Sequence, residues 1–171
     1  MQAFKKAIVS GLEEYLNALY KAIEGLSEAE LNWQPSLESN SIIYLLWHMG
    51  RVEDNWINKV IGGNETVWIR DGWNKKFPFN EEDYGKGYNK QDLANFPSID
   101  KDLVMQFYNE QRKEILKVIE SLSEEDLNKD YKRLTGELKK GYWILGHVLV
   151  EESQHLGQVA YIRGMIKGLD N

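Results

Sequence analysis

The sequence predicts an all-α protein, a small helical bundle, on three observations. Four long segments carry apolar residues at helical spacing, capping and breaking residues punctuate them, and the composition is that of one ordered domain. With 171 residues, 42% hydrophobic and 28% charged, and only three prolines, residues 1–171 fit a single domain whose apolar core needs no disulfide or metal staple.

The first helix is expected over about Phe4 to Glu24, where Ile8, Leu12, Tyr15, Leu16, Leu19 and Ile23 share a face. Gly25 serves as its C-cap. Ser27 with Glu30 has the form of a capping box opening a short turn that ends near Pro35. The second helix runs from Ser41 to Ile61 on the face Ile42, Leu45, Leu46, Met49, Val52, Trp56 and Val60, and Gly62-Gly63 ends it. From Gly62 to Pro97 comes a long connection rich in Gly, Asn and aromatics, among them Trp68, Trp73, Phe77, Phe79, Tyr84, Tyr88 and Phe96. It exceeds the usual link between bundle helices, so it reads as a functional loop or as one with short helical turns, folded over one end of the bundle. The third helix begins near Ile99 or Asp100 and ends about Ser121, with Leu103, Phe107, Ile115, Leu116 and Ile119 as core candidates. After a linker with Thr135 and Gly136, the fourth occupies roughly Leu138 to Lys167.

Twenty-one Lys and Arg against 27 Asp and Glu give a formal net charge of -6, and no basic stripe stands out. Nucleic acid and an anionic membrane surface are therefore not expected partners. The opening MQAFKKAIVSGLEEYL is interrupted by Gly11, Glu13 and Glu14 and reads as an amphipathic helix rather than a signal peptide. No apolar run approaches the roughly 18 to 20 residues that cross a bilayer, and the expected compartment is the cytoplasm. There is no cysteine, so any thiol chemistry must arrive with a substrate or cofactor.

Leu26-Ser-Glu-Ala-Glu-Leu-Asn32 recurs as Leu122-Ser-Glu-Glu-Asp-Leu-Asn128, each after one long helix and before the next. Leu45-Leu46-Trp47-His48 then falls against Ile144-Leu145-Gly146-His147. Two similar helical hairpins would explain the echo; so would the common habit of starting helices with Ser followed by acidic residues.

Of three histidines, two lie on the last helix, in His147-Val-Leu-Val-Glu151-Glu152-Ser-Gln-His155. Residues four apart on a helix share a face at a rise of about 6 Å. Glu151 meets that condition with either histidine, whereas His147 and His155 are about 12 Å apart, too far to share one ion through bonds of roughly 2.1 Å. The helix therefore offers one adjacent pair. His48, inside the apolar pattern of the second helix, is the candidate third ligand. His48, Glu151 and His155 would supply two imidazoles and a carboxylate and leave a coordination position open, as catalytic ions require. The zinc-peptidase His-Glu-x-x-His, a Gly-rich phosphate loop, a Gly-x-Ser-x-Gly elbow and an EF-hand are all missing.

With Leu145-Gly146-His147-Val148, Glu151, His155-Leu156-Gly157-Gln158 and Leu46-Trp47-His48, the chain resembles the DinB and YfiT-like superfamily of metal-dependent enzymes. The resemblance implies a four-helix bundle of up-down-down-up topology with the long aromatic-rich loop between helices two and three. It implies a divalent transition metal, zinc or nickel, on His48, Glu151 and His155. The commonest form has histidine at the place of Glu151; the chain is similar to mycothiol-dependent maleylpyruvate isomerases in having glutamate there, which makes the site harder and more anionic. His147 is then a packing or supporting residue, and Glu152, about 100° round the helix, is no ligand.

The resemblance makes transfer of a low-molecular-weight, bacillithiol-like thiol to an electrophilic small-molecule substrate the leading expectation. A metal-dependent hydrolase would use the same ligands with water. A non-enzymatic, stress-associated homodimer would use the bundle as scaffold. A homodimer is expected in any of these, from the resemblance and from aromatic content in excess of what one small domain is expected to bury. Lys75, Lys76, Arg70 and Arg133 are candidates to meet a carboxylate on the thiol, and the sequence does not choose among them; Glu152 and Tyr142 are near the ligands on the last helix, without an assigned role.

Overall fold

Ala3–Ile23 forms α1, with Ile8, Leu12, Leu19 and Ile23 buried at the spacing the sequence shows. The computed structural model describes residues 2–133 and 135–168. The next seven helices are α2 (Glu28–Asn32), α3 (Ile42–Glu53), α4 (Val67–Arg70), α5 (Lys90–Ala94), α6 (Lys101–Ser121), α7 (Glu124–Asn128) and α8 (Gly141–Lys167). The described chain is thus mostly helical. That agrees with the all-α expectation, to which the structure adds a small antiparallel hairpin, β1 (Asp130–Lys132) with β2 (Leu138–Lys140), in which Tyr131 faces Lys139. It takes the residues expected to start the last helix, which begins instead at Gly141.

The two copies of the repeated heptapeptide are the short helices α2 and α7, and they agree in detail. Ser27 and Ser123 each complete a capping box, with Glu30 and Asp126. Asn32 and Asn128 each donate from Nδ2 to the carbonyl four residues back, at 2.9 Å, and Leu31 and Leu127 are buried.

The second long helix spans the expected residues but changes register inside them. Beyond Glu53 it continues as a π-helix over Asp54–Ile61, and Gly62 N–H closes it on the Ile57 carbonyl at 2.8 Å. The buried Asp54 carboxylate accepts from the N–H groups of Val67 and Trp68, both at 2.9 Å, and so caps α4 and returns the chain to the bundle.

Contacts between the long helices set their relative sense. Gly11 of α1 lies against Leu149 of α8, and Arg163 of α8 donates to the Ala22 and Glu24 carbonyls at 3.2 and 2.7 Å, so these two run the same way. On α3, Gly50 lies against Tyr108 and Glu53 pairs with Gln111 and Arg112, so α3 and α6 also run together. Across the other pairs the sense reverses. His48 meets His155 and Trp56 meets His147, while Lys5 of α1 reaches the Glu120 and Leu122 carbonyls at the far end of α6.

The 62–97 connection contains α4, a 3₁₀ turn at Trp73–Lys75, and α5. Most of its aromatics fill the core: Trp68 and Trp73 pack on Phe107, and the tilted rings of Phe79 and Trp47 lie 4.2 Å apart. On α6, Phe107, Ile115 and Ile119 are buried as expected, but Leu103 and Leu116 are only half-buried. The inward positions go to Val104, Met105 and Tyr108 and to two polar residues, Gln111 and Arg112.

Those two belong to a polar network sealed among α1, α3, α6 and α8. Arg112 pairs with Glu53 and donates to the Leu12 carbonyl, and Gln111 donates to Glu53 at 2.6 Å. Glu152 of α8 completes it through the Tyr108 hydroxyl, with Arg112 3.7 Å away. One guanidinium faces two buried carboxyls. Burial, and then the neighbouring Glu53, push the Glu152 carboxyl well above the usual range, which favours its neutral form beside a guanidinium already paired with Glu53.

Candidate functional site

His48 is positioned twice over, by its helix and by the long connection. Tyr44, one turn earlier on α3, stacks on its imidazole at 5.5 Å and an interplanar angle of 6°. Its Nδ1 bonds to the backbone carbonyl of Tyr84. A carbonyl only accepts, so Nδ1 carries the hydrogen and Nε2 presents a lone pair. Burial pulls the His48 pKa down to about 4, against the opposite pull of the Tyr84 carbonyl, and the ring is neutral near neutral pH.

The segment carrying Tyr84 is pinned to α3 by three side chains. Arg51 donates to the Glu81 and Asp83 carbonyls, both at 3.1 Å, and Tyr44 Oη to the Gly85 carbonyl at 2.8 Å. The third is His48 itself. Gly85 has φ +80°, and a Cβ there would stand 2.9 Å from the Trp47 ring, so only glycine lets the backbone lie this close.

From α8, Glu151 and His155 enter the same cavity, of about 290 Å³, which Tyr84, Trp56 and Arg133 also line. The His48 and His155 rings meet edge to face with centroids 5.1 Å apart. Glu151 Oε2 is 3.4 Å from His155 Nε2, and Oε1 is 3.2 Å from His147 Nε2. The hydrogen bond with His155 holds the Glu151 carboxyl below the usual range, against the rise that burial imposes. His147 stacks on Trp143 at 4.6 Å and meets the edge of Trp56, so it braces Glu151 from outside the cavity.

The three residues singled out from spacing thus share one cavity. The donor set fits a divalent transition metal on two further counts. Two imidazoles sharing a tetrahedral ion through bonds of about 2.1 Å have ring centroids roughly 5 Å apart, and these are at 5.1 Å. His48 Nδ1 on a carbonyl is the outer-sphere hydrogen bond that orients a metal-binding imidazole. Buried His155 Nδ1 has no protein partner. In the conformation described, Glu151 is turned between the two histidines of its own helix, and among the described residues no three acidic or imidazole groups already converge as a metal cluster.

Glu152 faces the sealed network instead, and Tyr142 is exposed. Sequence reasoning missed Glu53, Tyr108 and Arg112, although Tyr108 and Arg112 continue the i, i+4 series from Val104 to Ile119 and so signalled that polar groups were inside. Of the four cations proposed to meet a carboxylate, Arg133 alone lines the cavity. Arg70 pairs with Asp71 and Glu114, and Lys76 lies over Trp73.

The sequence profile of the DinB superfamily matches residues 12–159. Among solved structures the chain is similar to a conserved protein from Enterococcus faecalis, with a TM-score of 0.84 over 99% of both chains at 18% sequence identity, a likeness of fold. No curated protein matches it. No helix among the described residues is long and apolar enough to cross a membrane. A match over this much of its length, a span that includes His48, Glu151 and His155, shows that the chain belongs to the DinB superfamily.

Proposed function

We propose that this protein is a metal-dependent enzyme that transfers a low-molecular-weight thiol of bacillithiol type to an electrophilic small molecule, with zinc or nickel on His48, Glu151 and His155. The observation that carries the reading is the convergence of these side chains on one cavity, with His48 neutral and its Nε2 free to donate. Membership of a superfamily associated with metals supports it, and the helix directions support the up-down-down-up bundle course that belongs to the same reading.

When bound, the ion supplies Lewis acidity that lowers the pKa of a thiol or water at its open position. The chain's own contribution is placement. The Tyr84 carbonyl holds the His48 tautomer, and His147 braces the ionised Glu151. Glu152, fastened to Tyr108 and Arg112, sets the rotation of α8 so that its neighbour Glu151 turns to the cavity. The apolar walls of Val52 and Trp56 limit water there. The homodimer in this reading would use exposed Val150, Tyr161 and Met165 on α8; a monomeric mass in light scattering overturns that part.

The test is metal analysis followed by thiol consumption. Protein reconstituted with zinc or nickel should retain one ion per chain, and His48→Ala should lose it. The loaded protein should consume bacillithiol in the presence of an electrophile such as monochlorobimane. Turnover that incorporates water and ignores the thiol would replace transferase by hydrolase, and failure to retain metal would overturn both.

A further inference from the structure

We propose that Arg133, with Lys86 of the same cavity lining, is the anchor for a carboxylate on the small molecule that this site takes. The inference deepens the reading above, on which it rests for the position of the reacting end, by naming the substrate class as small carboxylic acids.

Arg133 reaches the cavity because the β1–β2 hairpin puts it there. Its N–H continues the ladder to the Glu137 carbonyl at 2.7 Å, and Gly136 N–H closes the turn on the Arg133 carbonyl at 2.8 Å. The guanidinium lies over the Trp56 ring at 4.5 Å and the Trp143 ring at 5.1 Å, so its plane is held before any ligand arrives. Among the described residues only one of its guanidinium nitrogens is engaged: Nη1 donates to Glu137 at 2.9 Å. Nε is buried without a partner, and Nη2 meets no acceptor among the described residues. Together Nε and Nη2 form the side-on edge of the guanidinium, the fork that matches the two oxygens of a carboxylate. A buried donor left unpaired is costly, and an acceptor delivered by a ligand would relieve it.

Charge points the same way. The chain has a formal net charge of -6, yet the charged side chains lining this cavity are Lys86 and Arg133, the latter paired with Glu137 at 2.9 Å, against Glu151. Lys86 is exposed and forms no ion pair among the described residues. The positive field reaches the wall, where the Arg133 charge opposes the rise that burial imposes on the Tyr84 phenol. A divalent ion would make the cavity more positive still. At about 290 Å³ it lies at the small end of ligand clefts, which run from roughly 300 Å³ upward, and suits a compact acid rather than a peptide.

The test uses N-acetyl-L-cysteine and its neutral carboxamide, titrated into metal-free and zinc-loaded full-length protein. Binding is read from the fluorescence of the tryptophans around Arg133 and confirmed by calorimetry. The acid should bind more tightly than the amide in both forms. Arg133→Gln and Lys86→Gln should each weaken the acid, Arg133→Gln by about tenfold or more, and leave the amide unchanged. Lys86 is exposed, so its variant keeps the test decisive if Arg133→Gln folds poorly. Equal binding of acid and amide, no binding of the acid at millimolar concentration, or indifference of the acid to both variants overturns the proposal. Metal retention reports on the other reading separately. Arg133→Gln should hold zinc as the parent does, and an acid preference that persists in a protein unable to hold zinc would refute the metalloenzyme while leaving the carboxylate anchor standing.

Discussion

The imidazole of His48 on α3 is tied through Nδ1 to the backbone carbonyl of Tyr84, 36 positions along the chain. The aromatic connection therefore decides which nitrogen of a core histidine faces the cavity. Outer-sphere partners of this kind are worth about 10- to 100-fold in metal affinity. Because a carbonyl cannot be deleted, the relationship is best tested by moving it. Gly85→Ala puts a methyl 2.9 Å from Trp47 at φ +80° and must shift the segment. Zinc affinity should fall about tenfold in a chelator competition while circular dichroism keeps its helical signal; unchanged affinity would show that Tyr84 does not orient His48.

Neutral His48 makes the metal-free protein acid-sensitive. Its folded pKa of about 4 lies below the ordinary 6.5, so the unfolded chain binds the extra proton between these values. Stability from this group is fully present above 6.5 and is lost as pH falls through the window towards 4, by about 3 kcal/mol at most. Urea titrations of His48→Gln should show a shallower acid limb than the parent, and the His48 ring resonance should titrate near 4. A midpoint near 6.5 contradicts the buried, anchored ring.

Glu152, neutral in its buried setting, should tolerate an uncharged isostere. Its folded pKa is raised, so the parent loses stability as pH rises above the unfolded value of 4.5. Glu152→Gln, a neutral isostere, should be at least as stable as the parent at neutral pH. Arg112→Ala strands the Glu53 charge and should cost about 3–5 kcal/mol. Denaturant melts check both, and a strongly destabilised Glu152→Gln would mean that Glu152 is ionised.

Bracing and ligation should separate on α8. His147→Ala should leave one zinc per chain and weaken it about tenfold, since His147 touches Glu151 rather than the cavity. Glu151→Ala and His155→Ala should lose stoichiometric zinc in mass spectrometry of the purified protein. Equal losses in all three variants would place His147 among the ligands.

Much of this was legible in residue order. Helical periodicity is local, so α1, α3 with its π extension, and α6 stand within a few residues of their expected bounds. Capping is local too, which is why Ser27 with Glu30 and Ser123 with Asp126 behave as their spacing implies. The i, i+4 geometry of Glu151 and His155 needs only one helix, and His48 announced itself by sitting in an apolar face.

What residue order could not show is which groups meet across helices. Chain-distant contacts depend on how faces pack, and nothing in Glu53, Tyr108, Arg112 and Glu152 taken singly says that they share one sealed network. The same holds for the 62–97 connection, whose aromatics lack periodicity because they fit the surfaces of α3 and α6 rather than a helix of their own. The sequence by itself determined a helical chain with a capable ligand set. Only the tertiary structure decided the His48 tautomer, the inward face of Glu152 and that Arg133, of four cations, lines the cavity, because each depends on which elements pack together and not on chain order.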